Sequence, residues 1–292
     1  MKSDIINHQF KDDLPLGFEV VSLVDLYARS RDLLTQPHRT AFYHIIWFKT
    51  GNLTHMVDFH SFPIAEDTIL FLKKNIVQVY DSSLSIEGKA ILFTDTFFCR
   101  TEADVRFLKE TILFNDLFTI SAIRLPSPAV FPVLFDLMET EASHPPDQYQ
   151  ADILRGYLHD VLLHSERERR KQDFKEVRKG ADLDYVLLFN DLIEAEYKTH
   201  KQVRHFASRL SVTEKRLNQA TSKVLGKTAK QMIDDRILLE AKRMLAHTHD
   251  TIKEVGYTLG FEEPTNFIKY FRKHNGSTPV EFREKLTAQT SA

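Results

Sequence analysis

Two stretches near the C-terminal end of this 292-residue chain gather side chains that can grip nucleic acid. The first holds Lys215, Arg216, Asn218, Gln219, Ser222 and Lys223, the second Thr265, Asn266, Lys269, Arg272 and Lys273. Arg and Lys donate to guanine edges and phosphate oxygens, Asn and Gln pair with adenine, and hydroxyls bond to either. No acid interrupts residues 265–274. A third group, His38, Arg39, His44, Trp47 and Gln78, mixes imidazoles, an amide and a large ring in a stretch of β-formers, as the contact set for a small molecule in a β-fold would. His55 and His60 add to the histidines there, but no close His-x-His pair followed by a placed Glu occurs, so no metal is expected.

The two cationic stretches need helices to present them, and the helix-start signals are present. Ser211 with Glu214, Thr228 with Gln231, Thr251 with Glu254 and Thr278 with Glu281 all have capping-box spacing. Gly226, Gly260 and Gly276 stand where helices should stop. Val203, Phe206, Ala207 and Leu210 predict a first short helix, and Leu217 and Val224 anchor a second that exposes the first cationic set. The plan then repeats. Residues 251–259 predict a helix, Gly260 and Phe261 a turn, and Pro264 the start of a further helix buried through Phe267, Ile268 and Phe271. Between the two units, Ile233, Ile237, Ala241, Met244 and Leu245 predict a longer helix that holds the recognition helices in fixed relation. Such a pair fits successive major grooves about one helical turn, roughly 34 Å, apart.

Residues 226–283, with their LGF, FxxxF and TPxxFR elements, resemble the DNA-binding module of the AraC/XylS transcription regulators, and LNQATSKVLG resembles that family's first recognition helix. One position departs: Glu263 precedes the proline where the family has Asp. The resemblance implies a promoter-binding activator that works with RNA polymerase. Residues 37–59 are similar to the family's cupin-like sensor domain, which implies an effector held inside a β-barrel, although Ile76, Val77 and Gln78 stand where the family carries Gln-Val-His.

The whole chain is 42% hydrophobic and has a formal net charge of −2, which by itself argues against a nucleic-acid binder. The distribution reverses this: from Leu183 onward 18 Lys and Arg face 14 Asp and Glu, against 21 and 27 before it. Short β-branched and aromatic runs across residues 18–98, broken by turn signals, predict a barrel or sandwich with few helices. Helical spacing across residues 128–170 predicts two helices packed on it, parted by Pro145 and Pro146. Their seam of Leu154, Tyr157, Leu158, Val161 and Leu162 suits either the barrel or a second copy, and a homodimer is the favoured reading.

The expected fold is therefore α+β in two domains: a cupin-like sensor and dimerisation domain over 1–165, a charged linker over 166–182, and an all-α domain with two helix-turn-helix units over 183–292. The partners expected are double-stranded promoter DNA and a small-molecule effector, with no cofactor. The single Cys99, the acidic N-terminus and the lack of a run of roughly 18 apolar residues place the protein in the cytoplasm and off the membrane. Two other readings compete: a cupin-type metal-dependent oxygenase with a helical accessory domain, and a regulator whose N-terminal domain only dimerises or docks a protein.

Overall fold

The computed structural model describes residues 6–10, 16–82, 86–125, 130–172, 174 and 180–290. The predicted helix onset at Pro128 and linker residues 173 and 175–179 lie outside them. The chain divides into two compact units, Ile5–Lys175 and Glu176–Ala292. No helix among the described residues is long and apolar enough to cross a membrane.

The N-terminal unit opens with β1 (Ile6–His8), β2 (Phe18–Ser22), α1 (Leu23–Leu34), β3 (His38–Thr40), β4 (Tyr43–Phe48), β5 (Leu53–Val57), β6 (His60–Ile64), β7 (Thr68–Leu72), β8 (Val77–Val79) and β9 (Gly88–Phe93). It continues through α2 (Asp95–Phe98), α3 (Glu102–Glu110), α4 (Ile112–Asn115), β10 (Ala122–Arg124), α5 (Val130–Ser143) and α6 (Gln150–Lys171). The strands form two five-stranded sheets, ordered β1-β3-β8-β5-β6 and β10-β7-β4-β9-β2. The expectation is a cupin-like barrel or a sandwich; the strands form two separate sheets, and among the described residues no ladder joins them.

One core lies between the sheets, built from Ile46, Phe48, Leu53, Val57, Leu70, Leu72, Tyr80 and Leu92. A second lies on the other face of the β4-β7-β9 sheet, where Ile45, Trp47, Ile69, Phe71, Ile91 and Phe93 meet α2 to α6. That sheet is covered on both faces, which is why its strands read as continuous apolar runs such as TILFL, whereas β5 alternates buried and exposed along LTHMV. Leu154, Leu158, Val161 and Leu162 of the proposed dimer seam are 0–1% exposed inside this second core, so they are spent within the unit. The expectation of few helices in this region is also corrected. α1, capped by Ser22 Oγ accepting from the Asp25 amide, sits between β2 and β3, and α2 to α4 follow β9.

Residues 166–171, assigned to the linker, are the last turns of α6, where Arg169 bonds to Asp116 at 3.0 Å with both side chains below 10% exposed. Residues 181 and 182, also assigned to it, open α7 (Ala181–Glu196). The C-terminal unit continues with α8 (Val203–Arg209), α9 (Glu214–Leu225), α10 (Ala229–His247), α11 (Ile252–Thr258), α12 (Pro264–Asn275) and α13 (Pro279–Thr290). Its core centres on α10, whose Ile233, Ile237, Ala241 and Leu245 are at most 1% exposed and which packs on each of the other six helices. Truncating a buried Ile to Ala costs about 2–5 kcal/mol in lost burial and cavity. Ile237→Ala should therefore lower the urea midpoint of the C-terminal unit sharply and leave that of the N-terminal unit unchanged, read by Phe and Tyr fluorescence against Trp47.

Candidate nucleic-acid interface and buried polar cluster

The two helix pairs α8–α9 and α11–α12 are the same object built twice. In each, the second residue after the first helix takes a positive φ, Ser211 at 55° and Gly260 at 73°. In each, the next amide returns to the first helix, Val212 to Ala207 O and Phe261 to Gly256 O, both at 3.0 Å. Gly260 is required here, since a Cβ would lie 1.8 Å from the Lys198 carbonyl oxygen. The helix starts follow the expected signals with one correction. Thr228, Thr251 and Thr278 form reciprocal caps with Gln231, Glu254 and Glu281. α9, however, is capped by Thr213 accepting from the Arg216 amide; Ser211 belongs to the turn. Glu263 makes no side-chain cap, and Pro264 at the first position leaves one fewer amide to satisfy.

On α12 the structure separates the two faces. Phe267 and Phe271 are fully buried and Ile268 half-buried, while Thr265, Asn266, Lys269, Arg272 and Lys273 are all exposed. Lys269 and Lys273 have no ion pair among the described residues. The helix is fixed from behind: Tyr270 donates its hydroxyl to the buried Asp234 carboxylate of α10 at 2.8 Å, and Lys230 reaches the same oxygen at 2.6 Å.

On α9 the arrangement differs from expectation. Lys215, Gln219 and Ser222 are exposed. Asn218 is half-buried and committed to structure, its amide donating to Glu214 O and its oxygen accepting from the Ala229 amide at the start of α10, each at 3.0 Å. Arg216 and Lys223 are paired with Asp182 of α7 at 2.6 and 2.5 Å, and Arg216 also lies over the Tyr185 ring. Those two hydrogen bonds, from Lys223 and Arg216, hold the Asp182 carboxyl below its ordinary range. α7 was missed in the sequence, although Val186, Phe189 and Ile193 carry its buried stripe.

A family profile described as a helix-turn-helix domain matches residues 206–285, a span that covers both of these units except the first residues of α8. The uncharacterized HTH-type transcriptional regulator YisR of Bacillus subtilis is 29% identical over 92 residues, 32% of either chain. The HTH-type transcriptional activator RhaS of Pectobacterium carotovorum is 20% identical over 257 residues, 85% of this chain and 87% of that one. The C-terminal unit therefore carries a helix-turn-helix domain similar to that of these transcription regulators. Among solved structures, ToxT from Vibrio cholerae aligns over 92% of this regulator and 98% of that chain at 15% identity and a TM-score of 0.44.

The motif elements of this helix-turn-helix domain have physical reasons. In LGF, Leu259 is buried, Gly260 takes the positive φ and Phe261 packs on Phe267. In TPxxFR, Thr278 caps α13, Phe282 packs on Phe271, and Arg283 donates to the carbonyls of Leu245 and Asp250 near the end of α10.

In the regulator's N-terminal unit, three of the five proposed effector contacts come together. His38, His44 and Gln78 are 2–4% exposed, beside Thr40, His55 and Tyr80. His44 Nε2 meets Thr40 Oγ1 at 2.9 Å and the Gln78 amide at 3.3 Å, and the Gln78 oxygen meets His55 Nε2 at 3.1 Å. Trp47 does not join them. Three residues from His44 on one strand, it faces the helical layer, donating to Asp67 and packing on Phe135. Arg39 is flanked in β3 by His38 and Thr40 and projects from the other face of that strand. A cavity of about 210 Å³ opens beside the cluster, lined by His38, Thr40, His44 and Tyr80 on its polar side and by Phe10, Leu26, Phe42 and Leu92 on its apolar side. His44 Nδ1, His55 Nδ1 and Tyr80 Oη are buried without hydrogen-bond partners among the described residues.

Burial pushes His38 and His55 down to about 4 and His44 well below 6.5. A histidine whose folded-state pKa lies below its unfolded value binds its proton better unfolded, so its contribution to stability is complete above pH 6.5 and is lost as pH falls toward 4. The urea midpoint of the N-terminal unit should therefore be level above pH 6.5 and fall below it, less steeply in a His44→Gln/His55→Gln variant. At the other unit, Asp182→Asn frees Arg216 and Lys223. It should tighten DNA binding several-fold at low salt and steepen the salt dependence, measured by fluorescence anisotropy; an unchanged affinity would show that these two cations do not meet DNA.

Proposed function

We propose that this protein is a promoter-binding regulator that places α9 and α12 in successive major grooves of double-stranded DNA and changes that engagement when a small molecule enters the N-terminal cavity. The observation that carries the reading is α12: five DNA-competent side chains on one exposed face, and on the other two buried phenylalanines and a tyrosine tied to α10. Phosphate contacts set register and base contacts specify. On this reading Lys269 and Arg272 reach base edges or phosphates, with Lys215, Gln219 and Ser222 serving on α9.

The reading of the cavity rests on its mixed lining and on buried nitrogen and hydroxyl atoms that lack partners. With its histidines neutral near pH 7, the lining suits an uncharged molecule with apolar bulk and a few hydroxyl or carbonyl oxygens. The homodimer and the contact with RNA polymerase belong to the same proposal. Since the predicted seam is internal, Val133 and Leu137, one turn apart and 55% and 40% exposed on α5, are the residues we assign to the dimer contact. The activator role is drawn from the RhaS relative, an HTH-type transcriptional activator.

The test is equilibrium binding to DNA fragments upstream of the protein's own and neighbouring genes, across a salt series. With contacts worth roughly 1–3 kcal/mol each, Lys269→Ala/Arg272→Ala should weaken specific binding about a hundredfold or more and flatten the salt slope. Undiminished affinity in the double variant would remove α12 from the interface.

A further inference from the structure

Outside the DNA-facing helices and the N-terminal cavity, one cluster of ligating atoms stands in the C-terminal unit. Glu196 is the last residue of α7, His200 follows it by four residues, and His205 lies in α8. One donor atom from each lies within 4.8 Å of the other two. Glu196 Oε2 meets His205 Nε2 at 2.5 Å, and the His200 and His205 rings stack with centroids 3.5 Å apart and planes 12° apart. The spacing is fixed by the backbone, because the His200 amide bonds to the Glu196 carbonyl at 2.9 Å and the His205 amide to Gln202 at 3.1 Å. Glu196 is not wholly free for a ligand, since Arg209 Nη1 holds its other oxygen at 2.9 Å.

We propose that Glu196, His200 and His205 form a binding site for a divalent transition-metal ion of the zinc class. Two imidazoles and one carboxylate are the donor set that selects zinc and its neighbours over magnesium or calcium, which prefer all-oxygen cages. Three ligands leave a fourth position to water. Arg209 keeps Oε1, so the ion takes Oε2 and displaces the hydrogen bond from His205, with His200 swinging out of its stack to complete the set. The ion then joins the end of α7 directly to α8, the helix against which recognition helix α9 is set. Metal binding therefore stiffens the first helix-turn-helix unit.

The experiment uses the full chain after chelator treatment, titrated with ZnCl2 alone by calorimetry and with CoCl2 by visible absorption, with MgCl2 as the contrast. One equivalent of zinc is expected to bind saturably. Cobalt should give the intense bands of a four-coordinate nitrogen and oxygen site, and magnesium no heat. His200 is exposed, so His200→Ala leaves the fold intact and should weaken zinc binding at least tenfold; His205→Asn tests the second imidazole without emptying its half-buried place. A His44→Gln/His55→Gln variant, which removes imidazoles of the N-terminal cluster, should bind as the parent does. Zinc binding unchanged in His200→Ala and His205→Asn, loss of binding in the N-terminal variant instead, or no saturable binding at all would overturn the proposal.

Discussion

The hydroxyl of Tyr270 and the carboxylate of Asp234 meet at 2.8 Å between α12 and α10, and the geometry of the C-terminal unit depends on that kind of contact. A carboxylate 5% exposed is costly unless its oxygens are used. Asp234 takes Tyr270 from α12 and Lys230 from the helix on which it sits. Two turns further on, Glu240 accepts from Arg236 and Arg243, and Arg236 reaches Glu194 of α7 and lies over Tyr197. The apolar stripe of α10 supplies most of the burial energy but would tolerate rotation of its neighbours. Directional bonds to α12 and α7 do not, and Asn218 adds a third constraint by tying α9 to the first turn of α10.

The N-terminal unit spends its hydrophobic surface differently. One sheet is sandwiched between a helical layer and the other sheet, so every side chain of β7 is buried. Between the sheets the packing admits a line of polar groups, from Thr40 through His44 and Gln78 to His55, which satisfy one another in part. Their remaining atoms, without partners among the described residues, lie beside an apolar wall, an arrangement that packing alone does not demand.

Much of the C-terminal unit was legible because its physics is local. Capping boxes, glycines at positive φ and a 3.6-residue stripe fixed helix limits and faces, and the exposed set on α12 followed directly. What escaped depends on partners distant in sequence. Asn218 has the chemistry to read adenine, yet its bonds go to Glu214 and Ala229, and only the fold brings Ala229 there. Arg216 and Lys223 meet an acid 34 and 41 residues before them, on a helix whose stripe was present but unread. In the N-terminal unit the gathering of His38, His44 and Gln78 was visible as a residue set without its geometry. Trp47 is different: an odd separation from His44 on one strand places it on the opposite face, an inference that the period of two already supplied. The dimer seam failed because periodicity names a buried face but not what buries it.

Hydroxyl-radical footprinting of the protein on its own upstream DNA tests directly whether α9 and α12 meet the duplex in one fixed relation. Two protected segments on one side of the duplex, about one helical turn apart, are the predicted result. A single protected groove, or protection on opposite sides of the duplex, would contradict the fixed pair that α10 imposes.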